Sequence, residues 1–175
     1  DSVDEAQLET PRALEDAMEL AIANVPRIEG QVYVCPDVSG SVRWPITGHR
    51  KGATTTVRCV DAAALITAAL MRRNPDAEVL PFEESVVALQ LSPGDTVMAN
   101  AERLASIGGG GTAVSAPLAL LNARQAKGNL VVVVSDNESW VDNAGSRGTA
   151  TLREWNYFRA RNPQAVLFSC GLNSV

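Results

Sequence analysis

Residues Gln31–Ser41, QVYVCPDVSGS, carry an apolar strand, Gln31–Cys35, straight into one carboxylate and two hydroxyls set two residues apart: Asp37, Ser39 and Ser41. A run apolar at successive positions is the pattern of a strand buried on both faces of a sheet, not of a half-exposed one. If that sheet is parallel, the carboxyl end of the strand is where ligands bind. The rest of the chain is therefore read for helices that would cover such a sheet.

They alternate with strands. Thr10-Pro11 opens a first helix, with a hydroxyl placed to cap and proline at the first helical position. Leu14, Met18, Ala21, Ile22 and Val25 give it one apolar stripe that stops before Pro26. Val57–Arg73 reads as a helix too broadly apolar for a surface position, hence sandwiched, and Val97–Ile107, Ala113–Ala126 and Thr149–Arg161 read as further helices. LVVVV at Leu130–Val134 and AVLFS at Ala165–Ser169 are continuous apolar strands expected to be buried on both faces. Ala77–Phe82 and Ser85–Leu91, joined by Glu83-Glu84, are expected to form an antiparallel pair. The fold class is thus α/β, a doubly wound, mostly parallel sheet with one antiparallel edge strand. Residues 1–26 form an N-terminal helical segment packing on or leading into one domain, 27–175. The chain ends just after its last strand and begins at Asp1, so we expect it to be a piece of a longer protein.

With 175 residues, 46% of them hydrophobic, the chain can bury one domain core. Net charge is −5, which is not the footprint of a free-standing nucleic-acid binder. The charge is unevenly spread: Val38–Val60 holds Arg43, Arg50, Lys51 and Arg58 and no acid, so that +4 leaves −9 for the remainder. Cys35, Cys59 and Cys170 form no C-x-x-C pair and read as reduced core residues of an intracellular protein. The acidic N-terminus DSVDEAQLET is unlike a targeting signal, and no apolar run approaches the ~18 residues of a membrane span. A cytoplasmic protein without a membrane partner is expected.

Three distant stretches fall at one sheet edge: Asp37-x-Ser39-x-Ser41, Gly111-Thr112 after the glycine run, and Ser135-Asp136-Asn137-Glu138 after LVVVV. Singly, each reads as a cap or a turn. Together, Asp37, Ser39, Ser41, Thr112 and Asp136 supply five hard oxygen donors, which suit one divalent cation, Mg²⁺ first with Mn²⁺ or Ca²⁺ as alternatives, and not zinc or copper.

DVSGS, GGGGT and SDNES resemble the metal-ion-dependent adhesion site (MIDAS) of von Willebrand factor A domains, a Rossmann-like fold. The resemblance implies that Asp37, Ser39 and Ser41 form its first loop, that Thr112 and Asp136 supply the second and third, and that an acidic group of a protein or ligand takes an open metal position. GGGGTAVSAPLALLNARQAKGNLVVVVSDNESW and LREWNYFRARNPQAVLFSCGLNS resemble, more narrowly, the A domain of the Ro autoantigen (TROVE-domain) ribonucleoproteins, and a bacterial Ro orthologue is expected. That family binds Y RNAs and misfolded noncoding RNAs in RNA quality control. The resemblance implies noncoding RNA as a partner of the full-length protein and a helical-repeat ring in the same parent chain, so this piece alone should bind RNA weakly. Val42 stands where a methionine is usual, and the basic loop after it contains Pro45. Arg43, His49, Arg50, Lys51 and Arg58 are possible RNA or ligand contacts, with Trp44 and Trp140 placed to stack on a base; the same residues read equally as a solvated loop and as packing.

Enzyme readings fare worse. His49 is the only histidine, Ser135-Asp136-Asn137 lacks the S-x-x-K and K-T-G companions of β-lactamases, and GGGGT is followed by no G-K-[ST]. A binding role without catalysis is expected, the alternative being an adhesion or signalling A domain that meets an acidic protein ligand through the same metal.

Overall fold

The computed structural model describes residues 13, 16–47, 55–136 and 149–172. Four strands form one sheet: β1 (Val32–Pro36), β2 (Glu78–Val79), β3 (Leu130–Ser135) and β4 (Val166–Gly171), in the order β2-β1-β3-β4 and all parallel. Side chains on a strand point alternately to opposite faces, so an apolar run feeds two cores at once. Val32 and Val34 with Val132 and Val134 face α2 (Cys59–Arg73), meeting Val60 and Ala63; Tyr33 and Cys35 with Val131 and Val133 meet Leu118 and Leu121 of α4 (Ser115–Ala123) and Phe158 of α5 (Thr149–Arg161). On that second face Phe158 sits edge-on to Tyr33 at 6.3 Å between ring centroids and stacked on Trp155 at 5.8 Å.

The breadth of the apolar surface of α2 is explained by what lies outside it. Its Ala64 and Ala68 pack against Val97, Ala101 and Leu104 of α3 (Val97–Ala105) and against Ile22 of α1 (residues 16–22), so α2 is sandwiched between sheet and outer helices. Alanines at those positions let three layers approach closely. Asp61 in the first turn of α2 accepts from the backbone N–H of Arg58 at 2.9 Å and from its guanidinium at 2.6 and 3.0 Å, which fixes the helix start two residues later than the sequence pattern suggests. Thr10, Pro11 and Leu14 lie outside the described residues.

Two expectations are corrected. Ser85–Leu91 forms no antiparallel edge strand among the described residues; one isolated bridge, Phe82 to Val86, is all the antiparallel pairing there, while Glu78–Val79 joins β1 in parallel. The alternation of Ser85–Leu91 serves another partner, since Leu89 and Leu91 cover the α1–α2–α3 layer instead of the sheet. Nor is β4 buried on both faces: Val166 and Phe168 are 57% and 56% exposed. As the edge strand it projects past α2, which lies over β1 and β3.

This packing separates two phenylalanines. Phe158→Ala should destabilise the fold by about 3–5 kcal/mol, the usual result of emptying an aromatic core site. Phe168→Ala should change it by within about 0.5 kcal/mol. Urea unfolding curves of the two variants check the contrast.

Candidate metal centre

β1 leads through α2 to β2 on one side, and β3 leads through α5 to β4 on the other, so the connections diverge between β1 and β3. A parallel sheet leaves a crevice at such a point. Asp37 follows β1, Asp136 follows β3, and both are buried, at 0% and 4% exposure. The register that pairs Pro36 with Val134 brings the two loops level, and Asp37 N–H donates to the Val134 carbonyl at 2.8 Å.

Past Asp37 the chain turns within three residues. The Asp37 Oδ1 accepts from Ser39 N–H at 2.9 Å, an Asx-type bond that folds the loop back, and Ser41–Arg43 then forms one 3-10 turn with Val42 buried in the core. That burial gives the branched residue at 42 a packing role beneath the loop. Ser39 and Ser41 hydroxyls stand 3.1 Å apart. Thr112 reaches them from across the crevice, donating from Oγ1 to Ser39 Oγ at 2.8 Å and lying 3.4 Å from Ser41 Oγ. Three hydroxyl oxygens from two loops thus form a triangle, with Ser39 and Thr112 buried and Ser41 half-buried.

Glycines make the approach possible. A Cβ on Gly40 would stand 3.0 Å from the Gly109 carbonyl, and Gly40 N–H donates to the Gly110 carbonyl at 2.8 Å. Gly108, at φ +81°, would place a Cβ 2.1 Å from the Val38 carbonyl, so any side chain there forces the two loops apart.

Ser135, not anticipated as a site residue, donates from Oγ to Asp37 Oδ2 at 2.6 Å. It could have been suspected only from its place beside Asp136 at the end of β3. Burial pushes the Asp37 carboxyl above its ordinary range; the bonds from Ser135 and Ser39 oppose that shift and the Asp136 charge adds to it. A carboxylate held this way favours a nearby cation, which would lower its pKa. Among the described residues no group of three or more His, Cys, Asp and Glu is placed to hold a metal, so a cation at this edge would depend on hydroxyls as well as on the two carboxylates. The donor set of Asp37, Asp136, Ser39, Ser41 and Thr112, all hard oxygen, fits Mg²⁺ or Mn²⁺.

The basic residues divide. Arg43 Nη2 donates to the carbonyls of Ile107 and Gly108 at 3.0 and 3.1 Å, and Arg58 holds Asp61. Trp44 is 58% exposed beside the site, whereas His49, Arg50, Lys51 and Trp140 lie outside the described residues. A groove of about 640 Å³ between α2 and α3 is lined by Arg43, Leu65, Met98 and Glu102 among others, and by none of the five oxygen donors.

Fold and oxygen cluster together define a von Willebrand factor A-type domain. The family model for the Ro60 von Willebrand factor A domain matches residues 31–175, and the chain belongs to that family. The RNA-binding protein RO60 of Deinococcus radiodurans is 28% identical over 155 residues, which are 89% of this chain and 28% of that protein. The crystal structure of the Deinococcus radiodurans RO (RSR) protein superposes with a TM-score of 0.68 at 24% identity, covering 90% of this chain and 30% of the other, and shows the same fold. The chain thus spans under a third of the relatives it matches.

The raised Asp37 pKa gives a signed prediction for the metal-free chain. A carboxyl easier to protonate folded than unfolded contributes stability that is present below its ordinary value of 3.8 and is lost as pH rises through the folded value. Melting temperatures measured across that window should therefore fall less with rising pH in Asp37→Asn than in wild type.

Proposed function

We propose that this chain is a divalent-cation-dependent docking domain of a Ro-type RNA-binding protein and that it carries out no catalysis. The observation that carries the reading is the triangle of Ser39, Ser41 and Thr112 hydroxyls, 2.8–3.4 Å apart, beside the buried Asp37. Hydroxyl oxygens gathered from two loops beside a buried carboxylate are a donor set suited to a hard cation. A bound Mg²⁺ supplies positive charge and a coordination position that exchanges water for an acidic group. Ser39, Ser41 and Thr112 hold it through hydroxyl oxygens, Asp136 completes the shell directly or through water, and Asp37 binds it or orients a water. His49 is the only histidine in the sequence, so a histidine-based triad would depend on it alone, which supports binding over turnover.

The RNA part of the reading rests on family membership and on the Deinococcus radiodurans relative, an RNA-binding protein by name. Noncoding RNA, met by the parent protein in RNA quality control, is the partner class. Arg43 and Arg58 are engaged within the domain, which shifts the candidate phosphate contacts toward Arg50 and Lys51. Among the described residues no helix is long and apolar enough to cross a membrane.

Calorimetric titration with Mg²⁺ and Mn²⁺ tests the metal reading. Wild type should bind one ion and the Asp37→Ala, Asp136→Ala double variant none; equal binding by both discards the site. For RNA, the 175-residue chain alone should show little affinity at physiological salt. In the parent protein, Arg50→Glu with Lys51→Glu should flatten the slope of log K against log salt by roughly 1.4, at about 0.7 per phosphate of single-stranded RNA. Filter binding over a salt series measures it, and an unchanged slope means that the loop is a solvated face.

A further inference from the structure

Ser41 and Thr112 lie 71 residues apart, and hydroxyl contacts of 2.8–3.4 Å are too weak to hold two loops in register. Besides the backbone bond from Gly40 N–H to the Gly110 carbonyl, the loops are held by two charged side chains outside the oxygen cluster. Arg43 leaves the same 3-10 turn that presents Ser41 and hooks the carbonyls of Ile107 and Gly108, at the entrance of the glycine loop. Glu83 grips the exit: its Oε2 accepts from Gly110 N–H at 2.8 Å and its backbone carbonyl accepts from Ala113 N–H at 2.8 Å, so Thr112 sits between two anchored residues. The segment bearing Glu83 is itself tied to the first loop, since Phe82 N–H donates to the Pro36 carbonyl at 3.0 Å and Val38 N–H donates to the Phe82 carbonyl at 2.9 Å.

Resting on the metal reading above, we propose that Arg43 and Glu83 are the positioning residues of the cation site, setting the distance between Thr112 and the Ser39–Ser41 pair, and that neither touches the ion. For each, geometry and charge predict different outcomes. Glu83 acting through its charge would attract a cation, and the neutral amide of glutamine would be no better than alanine. Glu83 acting as a hydrogen-bond acceptor is replaced by glutamine, whose Oε1 can take the Gly110 N–H. Arg43 repels a cation by Coulomb's law, so its removal by charge alone would tighten binding, whereas loss of its hook would weaken it.

Mn²⁺ titration of the 175-residue chain, followed by the electron paramagnetic resonance of the free ion, separates these cases, with metal-free melting curves recorded for each variant. Glu83→Ala and Arg43→Ala should each weaken Mn²⁺ binding about 10–100-fold, the usual effect of removing an outer partner of a metal site. Glu83→Gln, nearly isosteric and able to fold on either view, should recover most of that loss. Unaltered affinity in Glu83→Ala, equal weakness of Glu83→Gln and Glu83→Ala, or tighter binding by Arg43→Ala overturns the inference while the metal reading stands. Wild-type chain that binds no Mn²⁺ removes the metal reading itself, and this inference with it.

Discussion

The parallel pairing of β1 with β3, from Val32 against Leu130 to Pro36 against Val134, is the constraint on which the rest depends. Both strands are valine-rich because both must be buried on two faces, and that burial allows no slip in register. A shift of β1 by one residue would turn Val34 toward α4 and α5 and would carry Asp37 away from Ser135. The core therefore sets the site: apolar packing below determines which oxygens meet at the end of the strands.

The site in turn opposes the core. Asp37 is completely buried, and its carboxyl is pushed upward by that burial, so the charged form is held against its own desolvation. Hydrogen bonds from Ser39 and Ser135 offset part of this, and Gly108 at positive φ adds a position where no side chain is tolerated. Local polarity and a restricted backbone concentrated at one sheet end are what a binding site looks like when the surrounding fold is stable enough to carry it.

Legibility in the sequence followed chain distance. Asp37, Ser39 and Ser41 declare themselves because their spacing is local, and Thr112 and Asp136 because each ends a stretch whose place at the sheet edge follows from strand and helix order. Sequence offers Arg43 as a possible RNA or ligand contact because it shows charge and not direction; the guanidinium bonds carbonyls 64 and 65 residues on. Glu83 and Ser135 carried no signal of their own, since an acid between two short apolar runs and a serine closing a strand are ordinary. The alternation of Ser85–Leu91 misled for a related reason: an apolar face indicates that something is covered, and whether that is a sheet or a helical layer is decided by the third dimension.

The open flank of β4 has a consequence for handling the chain. The strand is bonded to β3 on one side, among the described residues no strand lies along the other, and Val166 and Phe168 stand exposed on one of its faces. Two large exposed apolar groups on an edge strand with no lysine or proline inside it as gatekeeper are features that favour β-augmentation. Such an edge, on the far side of β3 from the β1–β2 half of the sheet, favours self-association at high protein concentration.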